Sequence, residues 1–130
     1  MVSLILPDSN FYIDCARAGQ DPFRVLAAHA EEWEFATCGM VAMEVCRGRS
    51  HQGIHEKFRE RFAVMIYIQA TSQIWQRATH LAWALDRQGL VLPASDVLIA
   101  ACALQTGAAV LTRDAHFRQI PGLEVREQLG

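Results

Sequence analysis

The chain alternates short, nearly continuous apolar runs with longer segments in which apolar residues recur every three to four positions. The short runs predict β-strands, because a strand that is buried on both faces lacks the polar alternation of a half-exposed one. Five segments have this character, the last of them weakly: residues 2–6, 34–38, 65–68, 108–112 and 123–125.

The periodic segments predict helices, and turn or capping residues mark their ends. Gly19 ends the first helix, whereas Thr71 and Gly89 bound a later one as its N-cap and its stop signal. The predicted helices run from the first strand to residue 18, begin again at Asp21-Pro22, and then cover residues 40–47, 53–63, about 72–88 and about 95–105.

This alternation of strands and helices predicts an α/β fold. We expect a three-layer α/β/α arrangement, in which helices cover both faces of a central, mostly parallel sheet of four to five strands. The length of 130 residues predicts a single domain that spans residues 1–130. In open sheets of this kind, ligands bind beyond the carboxyl ends of the strands, at the point where the strand order reverses.

Four acidic residues lie either at the end of a predicted strand or within an apolar helix. Asp8 and Asp114 follow predicted strands, which puts both at the ligand-binding edge of the sheet. Glu44 in MVAMEVC and Asp96 in LPASDVLIAACA lie in apolar helices, where a charge is costly unless it is paired or bound to metal. Ordinary roles remain open, because Asp8 and Asp96 could cap helices and Glu44 could pair with Arg47.

The basic residues are unevenly distributed. The net charge of −2 does not by itself indicate a nucleic-acid partner. All basic residues except Lys57 are arginines, whose side chain can bind phosphate with two parallel hydrogen bonds. Five of the 12 basic residues fall in one short segment: Arg47, Arg49, Lys57, Arg59 and Arg61. A solvated helical face paired with Glu56 and Glu60 explains the same cluster.

Cysteine spacing and hydropathy bear on metal binding, redox chemistry and cellular location. The four cysteines form no C-x-x-C pair, so the sequence contains neither a zinc knuckle nor a redox motif. Reduced thiols are typical of a cytoplasmic protein. The N-terminal apolar run is too short for a signal peptide, and no segment approaches the roughly 18 apolar residues of a membrane span. We therefore expect a cytoplasmic protein without a membrane anchor.

Four segments together resemble the PIN domain and, within that family, the VapC-type toxin ribonucleases: DSN after the first strand, AMEVCRG, DVLIAACALQTG and VLTRDAHFRQIPGL. The resemblance covers essentially the whole chain and is strongest in its second half. It implies an acidic metal site with polar support, made of the acids Asp8, Glu44, Asp96 and Asp114 and of Thr112, Ser9 and Asn10. Pro7 and His116 are departures from the family pattern or variants of it.

The resemblance also implies a function. A metal-dependent endoribonuclease, the toxin of a type II toxin–antitoxin pair, would use Mg²⁺ or Mn²⁺, cleave RNA, bind a small cognate antitoxin and form a homodimer. Hard divalent cations take oxygen ligands, and a bound cation activates water for phosphodiester hydrolysis without a covalent nucleophile. We expect Asp8 and Asp96 to be the principal ligands, with Glu44 and Asp114 as ligands or supporting acids. Three arginines are candidates for binding RNA phosphates: Arg47, Arg49 and Arg113.

Other classes fit the residues less well. A phospho-receiver domain needs a lysine after a late strand, and a dehalogenase-type phosphatase needs D-x-D where this chain has Asn10. A catalytically inactive PIN-like module that binds RNA or protein remains the alternative. His51 and His55 are interpreted as surface histidines rather than a metal pair, and the tryptophans as packing residues rather than base-stacking ones.

Overall fold

Residues 2–130 are described by a computed structural model, and they form an α/β fold around one five-stranded sheet. The strands are β1 (Ser3–Pro7), β2 (Trp33–Cys38), β3 (Ile66–Ile68), β4 (Ala109–Leu111) and β5 (Val125–Arg126). The helices are α1 (Ser9–Arg17), α2 (Pro22–Ala27), α3 (Gly39–Arg47), α4 (Gln52–Ala63), α5 (Ser72–Arg87) and α6 (Ala94–Thr106). The expected α/β/α fold with a parallel sheet is confirmed.

Every strand pair is parallel, and the strand order is β3-β2-β1-β4-β5. The chain first moves outward from β1 through β2 to β3, and then crosses back to place β4 on the other side of β1. The order therefore reverses between β1 and β4, where open parallel sheets form their ligand-binding crevice.

The pairing of β1 with β4 fixes which residues meet at this reversal. Ile5 pairs with Ala109, Leu6 with Val110 and Pro7 with Leu111. The ladder continues one step beyond the strands, because the backbone N–H of Asp8 donates a 3.1 Å hydrogen bond to the Leu111 carbonyl. The next residues along both strands, Asp8 and Thr112, are thereby brought side by side.

The central strands and α6 form the core. Leu6 of β1 and Val110 of β4 are fully buried, and a continuous buried segment of α6, residues 97–103, packs with them. This burial on all sides explains why α6 and the central strands appear in the sequence as unbroken apolar runs. The two edge strands are shorter than or shifted from the predicted segments, and β3 leaves Ile66 and Tyr67 exposed.

Two sequence interpretations need correction. Trp75 and Trp83 were interpreted as packing residues, but 52% of Trp75 and 57% of Trp83 are exposed, and only Trp33 is buried. On α5 the buried side belongs to the smaller residues Ile74, Ala78 and Leu85, and both indoles lie outside this stripe. In addition, a short 3₁₀ helix over Ala115–Gln119 was not predicted, because one turn is too short to show a periodic pattern.

None of the helices within residues 2–130 combines the length and the apolar character needed to cross a membrane.

Candidate active site at the carboxyl edge of the sheet

Asp8 follows β1 directly and is almost completely buried, with 3% of its surface exposed. Its Oδ1 accepts the backbone N–H of Phe11 at 3.1 Å, so Asp8 caps the N-terminus of α1. Its Oδ2 accepts the hydroxyl of Thr112 at 2.7 Å. The capping role and the place at the sheet edge, which appeared as alternatives in the sequence, belong to the same residue.

Thr112 connects Asp8 to the acid that follows β4. Besides donating to Asp8, its hydroxyl oxygen accepts the backbone N–H of Asp114 at 3.0 Å. Thr112 is itself buried, with 3% exposed, so these hydrogen bonds are shielded from water. The expectation of polar support at Thr112 therefore has a geometric basis.

Asp114 and Asp96 approach each other around a residue to which the sequence assigned no role. The Nδ1 atom of His116 lies 3.3 Å from Oδ1 of Asp114 and 3.5 Å from Oδ2 of Asp96. One ligand atom from each of these three residues lies within 4.8 Å of the other two. The D-x-H spacing after β4 was the available sequence signal, but only the fold brings α6 alongside it.

Glu44 is held on the other side of the site. Its Oε1 accepts the hydroxyl of Ser9 at 2.6 Å, a contact between residues 35 positions apart that joins α3 to the start of α1. No ion pair between Glu44 and Arg47 occurs in the part of the chain that the structure describes, 2–130. Ser9 is thus the polar partner of Glu44, whereas Asn10 is exposed at the surface.

The electrostatics reflect burial and the crowding of like charges. Burial raises the pKa of Asp8 from 3.8 to about 6, the hydrogen bonds from Thr112 and Phe11 oppose this rise, and Asp96 and Asp114 add to it. Burial, then the Asp114 carboxylate, also raises the pKa of Asp96, and the contact with His116 offsets part of that effect. The carboxyl groups of Asp8 and Asp96 therefore bind a proton more tightly in the folded protein than in an unfolded chain.

The donor set fits a divalent cation. Asp96 and Asp114 are only partly buried, with 19% and 26% of their side chains exposed, so water can share the site with them. Partly hydrated sites with a few carboxylates suit Mg²⁺ and Mn²⁺. The compact set of ligand atoms comes from Asp96, Asp114 and His116. Asp8 and Glu44 lie outside this set, and Glu44 is close enough to contribute to the raised pKa of Asp96.

The three candidate RNA-binding arginines have different surroundings. Arg113 is exposed and lines, together with Asn10 and Asp114, a cavity of about 830 Å³ beside the acids. Arg47 is exposed in the last turn of α3, the helix that carries Glu44. Arg49 is half-buried: its guanidinium lies 5.8 Å from the centre of the Phe58 ring.

The protein is thus an open, parallel α/β fold with a group of carboxylates at the edge where such sheets bind ligands. This chain belongs to the PIN domain family, whose model matches residues 5–123. The resemblance to that family seen in the sequence is confirmed. A search of curated proteins finds no match.

Solved structures share the fold over nearly the whole chain. A chain of VapBC2 from Rickettsia felis, bound to a DNA fragment from its promoter, has a TM-score of 0.79 and 20% identity, covering 95% of this chain and 97% of that one. DNA-bound VapBC from Salmonella typhimurium has a TM-score of 0.77 and 20% identity, covering 97% of this chain and 98% of that one. A toxin–antitoxin complex from Klebsiella pneumoniae has a TM-score of 0.69 and 25% identity, covering 92% of this chain and 94% of that one.

The burial of Asp8 predicts a pH-dependent stability in the absence of metal. Its folded pKa of about 6 exceeds the unfolded value of 3.8, so its stabilising contribution is full below pH 3.8 and is lost as the pH rises through 6. Between pH 5 and 7.5 the wild type should lose about 1 kcal/mol of unfolding free energy through this group. Urea denaturation in EDTA should show this loss in the wild type and not in Asp8→Asn, whose amide can still cap α1.

The control for this experiment is Asp14→Asn, which changes an exposed aspartate on the same helix. It should keep the pH dependence of the wild type. If Asp8→Asn keeps it too, the buried carboxyl is not the group responsible.

Proposed function

We propose that this protein is a metal-dependent endoribonuclease and the toxin of a type II toxin–antitoxin pair. The observation that carries the proposal is the convergence of Asp8, Glu44, Asp96 and Asp114 at the reversal point of a PIN-domain sheet. The similar structures, which are VapBC and other toxin–antitoxin complexes, support the same assignment.

The protein side chains would divide the work by position. The sequence suggests Asp8 and Asp96 as the principal ligands, but both carboxylate oxygens of Asp8 already accept hydrogen bonds. We therefore assign Mg²⁺ or Mn²⁺ to Asp96 and Asp114, with Asp8 and Glu44 as further ligands or as acids that orient coordinated water. When bound, the cation supplies Lewis-acid chemistry that polarises a phosphate and makes water a better nucleophile at neutral pH. The hydroxyl groups of Thr112 and Ser9 fix the orientations of Asp8 and Glu44. Preset orientations lower the cost of organising the reacting groups.

The RNA itself would approach across the exposed basic side chains around the acids. Arg113 lines the cavity beside Asp114, and Arg47 follows Glu44 on α3. Arg49 is the weaker phosphate ligand of the three, because its stacking on Phe58 already occupies part of the guanidinium. The contacts would be to the phosphate backbone, which carries most of the affinity and little sequence information.

The alternative is an inactive PIN-like module that binds RNA or protein. A decayed site would be expected to lose acids or their supporting hydrogen bonds. Here the four acids are present, and Asp8 and Glu44 each keep a hydroxyl donor. This retention favours the enzyme.

The proposed homodimer has a candidate surface on the β2–β3 side of the sheet. Tyr67, Trp75 and Met43 surround a depression of about 570 Å³, and Trp75 continues to Trp83 along α5. Monomeric proteins seldom expose contiguous apolar patches, and such patches commonly mark contacts between proteins. We assign this patch to a second copy of the chain.

Expression of the chain alone should arrest the growth of its host. Asp8→Asn and Asp96→Asn should each relieve the arrest, and the purified wild type should cleave RNA with Mg²⁺ or Mn²⁺ and stop in EDTA. The matched control is Asp86→Asn, an exposed aspartate on α5, which should remain toxic. Equal toxicity of all these variants at equal protein levels would refute the catalytic assignment.

Arginine contacts to phosphate should appear in the salt dependence of RNA binding. In an Asp96→Asn background that binds without cleaving, Arg47→Ala and Arg113→Ala should each lower the slope of log affinity against log salt by about 0.7 for single-stranded RNA. Arg24→Ala, an exposed arginine on α2, serves as the control. If the slopes stay constant while antitoxin binding or the oligomeric state changes, these arginines belong to a protein interface.

Trp75→Glu should convert a dimer of the wild type to a monomer, because a charge would have to be buried at the apolar contact. Sedimentation or light scattering measures the mass directly. Val64→Glu is the control, since Val64 is 82% exposed and lines neither depression. A Trp75→Glu protein that remains dimeric would place the interface elsewhere.

A further inference from the structure

His116 is the nitrogen donor that lies closest to the acids of the candidate site. Its Nδ1 faces both Asp114 Oδ1 at 3.3 Å and Asp96 Oδ2 at 3.5 Å. Both distances exceed the roughly 2.9 Å of a well-formed N–H···O hydrogen bond. The imidazole is therefore placed between the two carboxylates without being closely bonded to either.

The backbone holds His116 in this place. Asp114 Oδ1 accepts the backbone N–H of His116 at 2.9 Å, which closes the first turn of the 3₁₀ helix Ala115–Gln119. The next residue, Phe117, is completely buried in the core. Since one neighbour is anchored in the core and the backbone N–H is capped by a member of the site, the fold holds the backbone of His116 beside the acids.

The separations suit a shared cation. With metal–ligand bonds of about 2.1–2.2 Å, two adjacent ligand atoms lie about 3.0 Å apart in octahedral coordination and about 3.5 Å apart in tetrahedral coordination. The two distances from Nδ1 of His116, 3.3 and 3.5 Å, lie within these limits, and all three ligand atoms lie within 4.8 Å of one another. The half-exposed ring, 47% accessible, leaves room for water in the remaining positions.

We propose that His116 is a metal ligand through Nδ1 and that it biases this site toward Mn²⁺ over Mg²⁺. This inference rests on the proposed metal site and adds to it the identity of a nitrogen donor. Imidazole binds first-row transition metals well, whereas Mg²⁺ prefers carboxylate and water oxygens in near-ideal octahedral geometry. A site with Asp96, Asp114 and His116 therefore discriminates between the two ions by ligand type.

A purely electrostatic role is the competing explanation for the same contacts. In that case a protonated His116 would offset the repulsion between Asp96 and Asp114 and would leave when a cation replaced it. The two explanations differ in what surrounds the bound ion, since only the ligand role places nitrogen in contact with the metal.

Pulsed electron paramagnetic resonance of the Mn²⁺-loaded protein detects nitrogen bound to the metal, because a coordinated imidazole nitrogen modulates the electron spin echo. The wild type should show the nitrogen modulation, His116→Gln should lose it, and the control His80→Gln, an exposed histidine on α5, should keep it. Labelling the wild type with ¹⁵N-histidine should change the modulation, which identifies the donor as histidine without relying on a variant that folds.

Calorimetric titration with Mn²⁺ and with Mg²⁺ completes the test. His116→Gln should weaken Mn²⁺ binding by at least about tenfold. Its affinity for Mg²⁺ should stay the same or rise, because an amide oxygen replaces nitrogen. Asp96→Asn should weaken the binding of both ions.

The outcomes separate the two proposals. If Mn²⁺ binding depends on Asp96 but His116→Gln keeps the Mn²⁺ affinity, or the wild type lacks nitrogen modulation, the metal site stands and His116 is only an ion-pair partner. If neither ion binds the wild type, or binding is independent of Asp96, the metal site and the role of His116 both fail.

Discussion

The hydrogen bond from Thr112 to Asp8 is the interaction on which the candidate site depends. It joins the ends of β1 and β4, the two strands between which the sheet order reverses, across 104 residues of sequence. It also provides a buried carboxyl group with a donor, and without a partner such a group would be costly to keep in the interior. Because the same hydroxyl orients the backbone of Asp114, one side chain sets the geometry of two acids.

The acids around this hydrogen bond are arranged by depth. Asp8 lies in the interior, where burial raises its pKa, while Asp96 and Asp114 stand at the surface with His116 between them. Like charges placed this closely oppose folding unless protons or a cation balance them. The apolar burial of α6 and the central strands beside the site stabilises the fold and offsets this repulsion. The fold therefore sets a group of like charges at the edge of a well-packed core.

Two depressions of different chemistry lie on either side of β1 in the sheet order. The cavity that contains Asn10 and Arg113 lies beside Asp114. The aromatic patch with Tyr67 and Trp75 lies beyond β2 and β3, at the other end of the sheet order. The two depressions share no lining side chain.

The sequence by itself was enough to predict the helices α1 to α6, the central strands and the acids of the candidate site. Apolar runs, helical periodicity and capping residues act within a few positions, so these features depend on local chain physics that the sequence displays directly. Only the tertiary structure decided four other features: the strand order, the Ser9 donor for Glu44, the exposure of Trp75 and Trp83, and the place of His116 beside Asp96. Each depends on which distant segments pack together, and a periodic pattern shows that a face is buried without showing what covers it.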